Sequence, residues 1–274
     1  MKFIAAMDHS GGSTGGVLER YGQEYTEDNK MDLVHSMRLR MVSSPDFTSD
    51  KIWAAILYKD TIDKGMNPIL KEKGIKSYLK IDSGLEEDGT LKDFNDTAMC
   101  AYAFSKECSG TKMRSVVHDI YSIEKVLEQQ FEIALRINMN FNLMPIIEPE
   151  ISINNPNKTS IEKDLSRYLA TYLKNYKGRC ILKLTIPDDH TTYDSLHSYN
   201  NVEKIVGLSG GYTTKEACAK LSICKDMTAS FSRALSEGLY ASQTDRQFNK
   251  SISHNIHRIF DAGKTRYPKP PIVE

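Results

Sequence analysis

The chain has 274 residues, 40% of them hydrophobic and 26% charged, the profile of an ordinary globular protein with ample material for a core. Lys plus Arg and Asp plus Glu both number 36, so the formal net charge is zero and no global field draws the molecule to nucleic acid or membrane; any anion it binds must be held locally. MKFIAAM is too short for a signal-peptide core, no stretch approaches a transmembrane helix, and five cysteines without CxxC spacing indicate neither a disulfide framework nor a zinc site, which makes a reducing cytoplasm the default location.

Candidate strands recur down the chain: FIAAM near 3, WAAILY near 53, SYLKID near 77, TKMRSVV near 111, LMPIIE near 143, CILKLT near 180, KIVGLS near 204 and TASFS near 228. After the first, DHSGGSTGG (8–16) lacks the GK[ST] ending of a P-loop and reads as a flexible loop presenting Asp8 and Ser13. TEDNKMDLVHSMRLRM is a helix behind Thr26, with Met31, Val34, Met37 and Met41 at helical spacing. LEEDGTLKDFND, after the third strand, lacks EF-hand spacing and reads as a solvated loop. SIEKVLEQQFEIALRI and TSIEKDLSRYLATYLKNY read as helices opening at Ser122 and Thr159, and Thr213 with Glu216 forms a capping-box pair. His254 and His257 read as a solvent-facing pair in a last helix, and KTRYPKPPIVE (264–274) as an extended tail. Eight strands alternating with helices about thirty residues apart predict a (β/α)8 TIM barrel, a single α/β domain over 1–274; a Rossmann alternative is weakened because no GxGxxG follows a strand.

Alternate residues of a strand share a face, and four of these strands carry polar residues two apart: Lys80 and Asp82, Lys112 and Arg114, Glu148 and Glu150, Lys183 and Thr185. Both faces of a barrel strand are covered, so such residues are costly unless they meet, and the C-terminal mouth is where they can. Lys183 stands out, set in an otherwise apolar CILKLTIP run. A lone strand lysine can simply pack its stem and let its charge reach water. Here further lysines, an arginine and the carboxylates Asp8, Glu148 and Glu150 converge on the same mouth. Mutual repulsion among the cations is expected to lower their pKa values, freeing Lys183 to attack a carbonyl and form an iminium beside an anionic substrate. The last two strands supply the anion site: LSGGYTTKEA sets Ser209, Gly210 and Gly211 ahead of a helix, and SFSRAL does the same with Ser230, Ser232 and Arg233.

AMDHSGGST, YLKIDSG, GTKMRS, MPIIEPE, ILKLTIP, LSGGYT and ASFSRALSEGL, in order and over nearly the whole chain, resemble the class I fructose-bisphosphate aldolases, especially their compact bacterial branch. The resemblance implies a metal-free, cofactor-free (β/α)8 enzyme that cleaves fructose 1,6-bisphosphate to dihydroxyacetone phosphate and glyceraldehyde 3-phosphate. It implies that Lys183 forms the Schiff base and that Glu148 serves as acid and base in carbinolamine dehydration, with Glu150 beside it. Lys112 would stabilise the developing hydroxyl, and Asp8 would help take the C4 hydroxyl proton. Lys80 and Arg114 complete the charged pocket, Ser209, Gly210, Gly211, Ser232 and Arg233 hold one phosphate, and Ser13 contacts substrate. The implied partners are the sugar bisphosphate and triose phosphates, with no nucleic acid and no membrane; a homo-oligomer is compatible with the sequence. Another Schiff-base aldolase or transaldolase, or a non-catalytic barrel scaffold, are the competing readings. The family usually has a segment ahead of its first strand, so a less covered barrel floor is expected, and its longer animal-type members end in a proton-transferring tyrosine that neither Tyr267 nor Glu274 matches.

Overall fold

A computed structural model describes residues 1–10 and 12–264, the backbone alone at 12 and 13. The Ser13 side chain and the tail beyond Lys264 lie outside the described residues. Eight parallel strands follow one another around the sheet in sequence order: β1 Phe3–Met7, β2 Ile52–Leu57, β3 Lys76–Lys80, β4 Gly110–Val117, β5 Met144–Ile151, β6 Cys180–Thr185, β7 Val202–Leu208 and β8 Thr228–Ala229. The Ala6 N–H donates to the Phe231 carbonyl at 3.3 Å and draws the two ends of the sheet together. The helices are α1 Gly12–Arg20, α2 Lys30–Ser43, α3 Lys59–Asp63, α4 Met66–Glu72, α5 Asp96–Ser105, α6 Ile120–Phe141, α7 Lys158–Asn175, α8 Thr214–Leu221, α9 Arg233–Ser236 and α10 Asp245–Ala262. All eight strands fall where the sequence places them, and the fold is the expected (β/α)8 barrel.

The two-residue period of the strands divides the apolar residues into two cores. Ile4, Ala6, Ala54, Ile56, Tyr78, Ile146, Ile181 and Val206 form a compact cluster inside the barrel. Their outward-facing neighbours, among them Ala5, Ala55, Leu57, Leu79, Ile147 and Leu182, merge with the apolar faces of the helices. Two residues further along the inner face the character changes: Ile4 and Ala6 lead to Asp8, Tyr78 to Lys80, Ile146 to Glu148 and Ile181 to Lys183. One face of the sheet is thus apolar below and charged above.

Several local expectations need correction. DHSGGSTGG is not a loop throughout, because α1 begins at Gly12. The cap of α2 is Asn29, whose Oδ1 accepts the Thr26 N–H, so Thr26 opens the preceding turn instead. In α6 the cap is Asp119, and Ser122 is its reciprocal partner in the capping box; α7 is capped at Asn157, not Thr159. The box of Thr213 and Glu216 stands as expected, and His254 and His257 are exposed on α10.

The acidic excursion after β3 is tied down, not merely solvated. Leu91 is buried, and the Gln129 side chain accepts its N–H at 2.7 Å and donates to its carbonyl at 3.0 Å. The Val116 N–H donates to the Gly89 carbonyl, and Gly89 has φ +84°, with the Val116 carbonyl 2.0 Å from where a Cβ would sit. The opposite end of the barrel carries an aromatic pair. A register shift in β2 leaves Trp53 between the paired Ile52 and Ala54, and its ring packs against the inner cluster and Tyr78 at a centroid distance of 5.8 Å. Gly89→Ala is expected to lower stability by about 2 kcal/mol or more, since it combines a left-handed backbone with a collision against backbone; urea unfolding measures this.

Candidate active site

The charged layer of the inner face lies at the C-terminal ends of the strands and forms a linear chain of ion pairs. Asp8, one residue past β1, accepts from Lys112 Nζ of β4 at 2.9 Å. The same ammonium lies 2.9 Å from Glu148 Oε2 of β5, and the other oxygen of Glu148 is 3.0 Å from Lys183 Nζ of β6. Lys112, Glu148 and Lys183 are 3–4% exposed, so four charges are buried together, alternating in sign and summing to zero. Buried charges persist only when paired in this way.

The electrostatics differ along the chain. Burial penalises the Asp8 carboxylate, but Lys112, Lys183 and His9 outweigh this and hold its pKa well below the usual range. Glu148 is likewise lowered, Lys112 and Lys183 overcoming the cost of burial. The expectation that clustered cations depress one another fails for Lys112: despite burial, Asp8 and Glu148 raise its pKa above the ordinary lysine value. Lys112 is clamped between two carboxylates, whereas Lys183 is ion-paired with Glu148 alone among the described residues. Geometry therefore distinguishes the two amines: the proton of Lys112 is locked, and that of Lys183 has one short route, to Glu148.

The strands part to accommodate the pair. The ladder between β5 and β6 is confined to Ile146 with Ile181 and Ile147 with Leu182. Beyond it Thr185 restores the link through its hydroxyl, which accepts from the Ile151 N–H at 2.9 Å and donates to the Ile151 carbonyl at 2.8 Å. Behind β5, buried Gln130 accepts the Glu148 N–H at 3.3 Å and donates to Ser115 at 2.8 Å, fixing the backbone that carries the carboxylate.

Above the ion chain opens a cavity of about 610 Å³. Asp8, Lys80, Lys112, Arg114, Glu148, Glu150, Lys183, Ser209, Gly210, Gly211, Ser230, Ser232 and Arg233 all line it, so every sequence-derived site residue with a described side chain is brought together. Lys80 pairs with Asp82 at 2.9 Å and Arg114 with Glu150 at 2.6 Å. Glu150 is therefore engaged by Arg114. No ion pair reaches Arg20 or Arg233 among the described residues, so these two lining guanidiniums leave the cavity with surplus positive charge.

The capping box of α8 occupies the amides of Thr213 and Glu216, just beyond the SGG turn. Gly210 and Gly211 form a separate turn with φ of +55° and +118°, and a Cβ at Gly210 would stand 2.9 Å from Ile153 Cγ2. Buried Ser230 lines the cavity with an Oγ that has no hydrogen-bond partner among the described residues.

Sequence reasoning missed His9, Arg20 and Arg38. The His9 ring meets Ser232 Oγ at 3.2 Å, and its carbonyl accepts from Arg38 Nη2 at 2.6 Å. Arg38 is buried on α2 and also donates to Thr61. Burial, with Arg38, Arg20 and Lys183 nearby, lowers the His9 pKa to about 4 against the opposing pull of Asp8. His9 was visible only as the neighbour of Asp8, and Arg38 looked like one more charge on a helix.

A barrel with a buried lysine–carboxylate chain at its C-terminal mouth, beneath a cationic cavity, defines a lysine-dependent (β/α)8 enzyme. The chain is 41% identical to the class 1 fructose-bisphosphate aldolase of Synechocystis sp. over 282 aligned positions covering 96% of this chain and 94% of that protein. The chain belongs to the class 1 fructose-bisphosphate aldolases. No protein-family model matches it. Its backbone resembles the fructose-bisphosphate aldolase of Plasmodium falciparum, with TM-score 0.79, 19% identity and coverage of 98% of this chain and 92% of that one. It also resembles an archaeal fructose 1,6-bisphosphate aldolase, with TM-score 0.59, 11% identity and coverage of 94% and 93%. At these identities the two structures speak for the fold alone.

Lys112→Met is expected to destabilise the protein by about 3–5 kcal/mol, because it leaves two buried carboxylates facing each other; urea unfolding at pH 7 tests this. His9 has a depressed pKa, so the stability its neutral form provides is complete above pH 6.5 and is lost as pH falls toward about 4. The urea midpoint should therefore decline over that interval, and less steeply in His9→Gln.

Proposed function

We propose that this chain cleaves fructose 1,6-bisphosphate reversibly to dihydroxyacetone phosphate and glyceraldehyde 3-phosphate, through a Schiff base on Lys183 and without a metal. The observation that carries this reading is Lys183 Nζ, buried in the barrel and 3.0 Å from Glu148, beneath a cavity with unpaired arginines. Lys183 passes a proton to Glu148 and attacks the ketone carbon, whose oxygen takes up a proton to give the carbinolamine. Glu148 then protonates that hydroxyl, which leaves as water, and the iminium forms. Lys112, held by Asp8 and Glu148, stabilises charge on the departing oxygen.

Asp8 takes the C4 hydroxyl proton as the bond between C3 and C4 breaks. The electron pair moves into the iminium to give an enamine, and the aldehyde departs. Protonation at C3 and hydrolysis release dihydroxyacetone phosphate and the free amine. Glu150 acts through Arg114, which it holds toward the cavity together with the Lys80–Asp82 pair. The turn amides of Gly210 and Gly211, the hydroxyls of Ser209, Ser230 and Ser232, and Arg233 receive one phosphate. Lys80, Arg114 and Arg20 receive the second, and Ser13 contacts the substrate.

The small-molecule partners in this reading are the sugar phosphates. No helix among the described residues is long and apolar enough to cross a membrane, and the five cysteines are free thiols, which fits action in the cytoplasm.

Borohydride reduction in the presence of substrate and EDTA should leave a triose adduct on Lys183, located by peptide mass spectrometry. Lys183→Arg should lose cleavage by at least about 10³-fold while keeping its fold, since a guanidinium retains the charge but cannot form the iminium; full activity in that variant would overturn the mechanism. Gly210→Ala should chiefly raise KM for the bisphosphate. Equal kcat/KM for fructose 1-phosphate and the bisphosphate would favour a different sugar phosphate.

A further inference from the structure

The floor of the barrel has an electrostatic character unlike its mouth. Each of two strands carries an extra residue at its start: Trp53 in β2 and Glu203 in β7, the latter between the paired Val202 and Lys204. These insertions gather Trp53, the one tryptophan of the chain, with two lysines. Lys76 Nζ lies 4.6 Å and Lys204 Nζ 5.2 Å from the centroid of its ring. A cavity of about 430 Å³ opens beside them, lined by Trp53, Tyr78, Lys76, Lys177 and Arg179 among others.

The charges here do not balance. Glu203 is engaged by Arg179 in an ion pair, and no ion pair reaches Lys76, Lys177 or Lys204 among the described residues. Burial lowers the Lys204 pKa, Lys76 and Lys2 lower it further, and Glu203 opposes them only in part. Contact with the Trp53 ring favours both cations but leaves the positive charge in place. Lys76 and Lys177 line the cavity, whose one acidic lining residue, Glu203, is already paired with Arg179, and Lys204 lies against the same indole; together they focus a positive field there, in a protein whose total charge is zero. None of these residues belongs to the C-terminal mouth.

We propose that this floor cavity is a second binding site, for a small oxyanion carrying two or more charges, a phosphate ester or a polycarboxylate. Lys76 and Lys177 neutralise the anion, and Trp53 forms the wall it rests against. The site is separate from the cavity that takes the substrate, and it stands independently of the cleavage reaction.

Because Trp53 is the sole indole, its emission reports on this cavity directly. Pyrophosphate and citrate are titrated in parallel against the full chain at low ionic strength, with binding checked by calorimetry. At least one should give a saturable change in emission, and the one that does assigns the site to phosphate esters or to polycarboxylates; response to both assigns it to oxyanions generally. Lys177→Glu, a change at an exposed position outside the catalytic machinery, should weaken that binding by about tenfold or more and leave kcat/KM for aldol cleavage unchanged. Lys76→Met combined with Lys177→Met should abolish binding. Failure of both anions to produce a saturable change, or unaltered binding in Lys177→Glu, would overturn the proposal, and neither result depends on whether the mouth cleaves its sugar.

Discussion

Four buried charges that must cancel within one barrel constrain everything around them. Asp8, Lys112, Glu148 and Lys183 come from four different strands, and each is tolerable only because the next has the opposite sign. Strand order, register and the two-residue period must all be correct for them to meet. The alternation also decides chemistry. The interior lysine of the chain is fixed by carboxylates on both sides, and the terminal lysine is left with one partner able to take its proton.

Support for this arrangement comes from residues that never face the cavity. Gln130 pins the backbone at Glu148, and the Thr185 hydroxyl takes over where the ladder between β5 and β6 ends. Arg38 reaches through from α2 to hold the backbone of His9, whose ring then orients Ser232. Glu148, His9 and Ser232 thus rest on neutral or paired partners, as a low-dielectric site requires.

Much of this was legible in the sequence because both signals are local. A short apolar run bounded by turn residues gives a strand, and charges two apart give a face, so all eight strands and thirteen cavity-lining residues could be named before their contacts were known. Helix starts were less legible because capping residues work in reciprocal pairs: Asp119 and Ser122 are both good caps, three apart, and sequence does not say which one is outside the helix. Arg38 and His9 were illegible for a different reason. Their roles depend on burial and on a contact across 29 residues of chain, which no spacing rule encodes. The excursion after β3 looked solvated because its acidic residues hid the apolar ones that anchor it, buried Leu91 with Leu85 and Phe94 packed on the core.

The packing of Gly210 on Ile153 has a consequence for what the cavity can accept. Ile153 lies just beyond the end of β5, the strand that carries Glu148, so the Gly210 turn is braced by the same segment that carries that carboxylate. In the proposed reaction this fixes the separation between the phosphate-receiving turn and the Lys183 amine, so that a ketose is selected by the length of its carbon chain as well as by its charge.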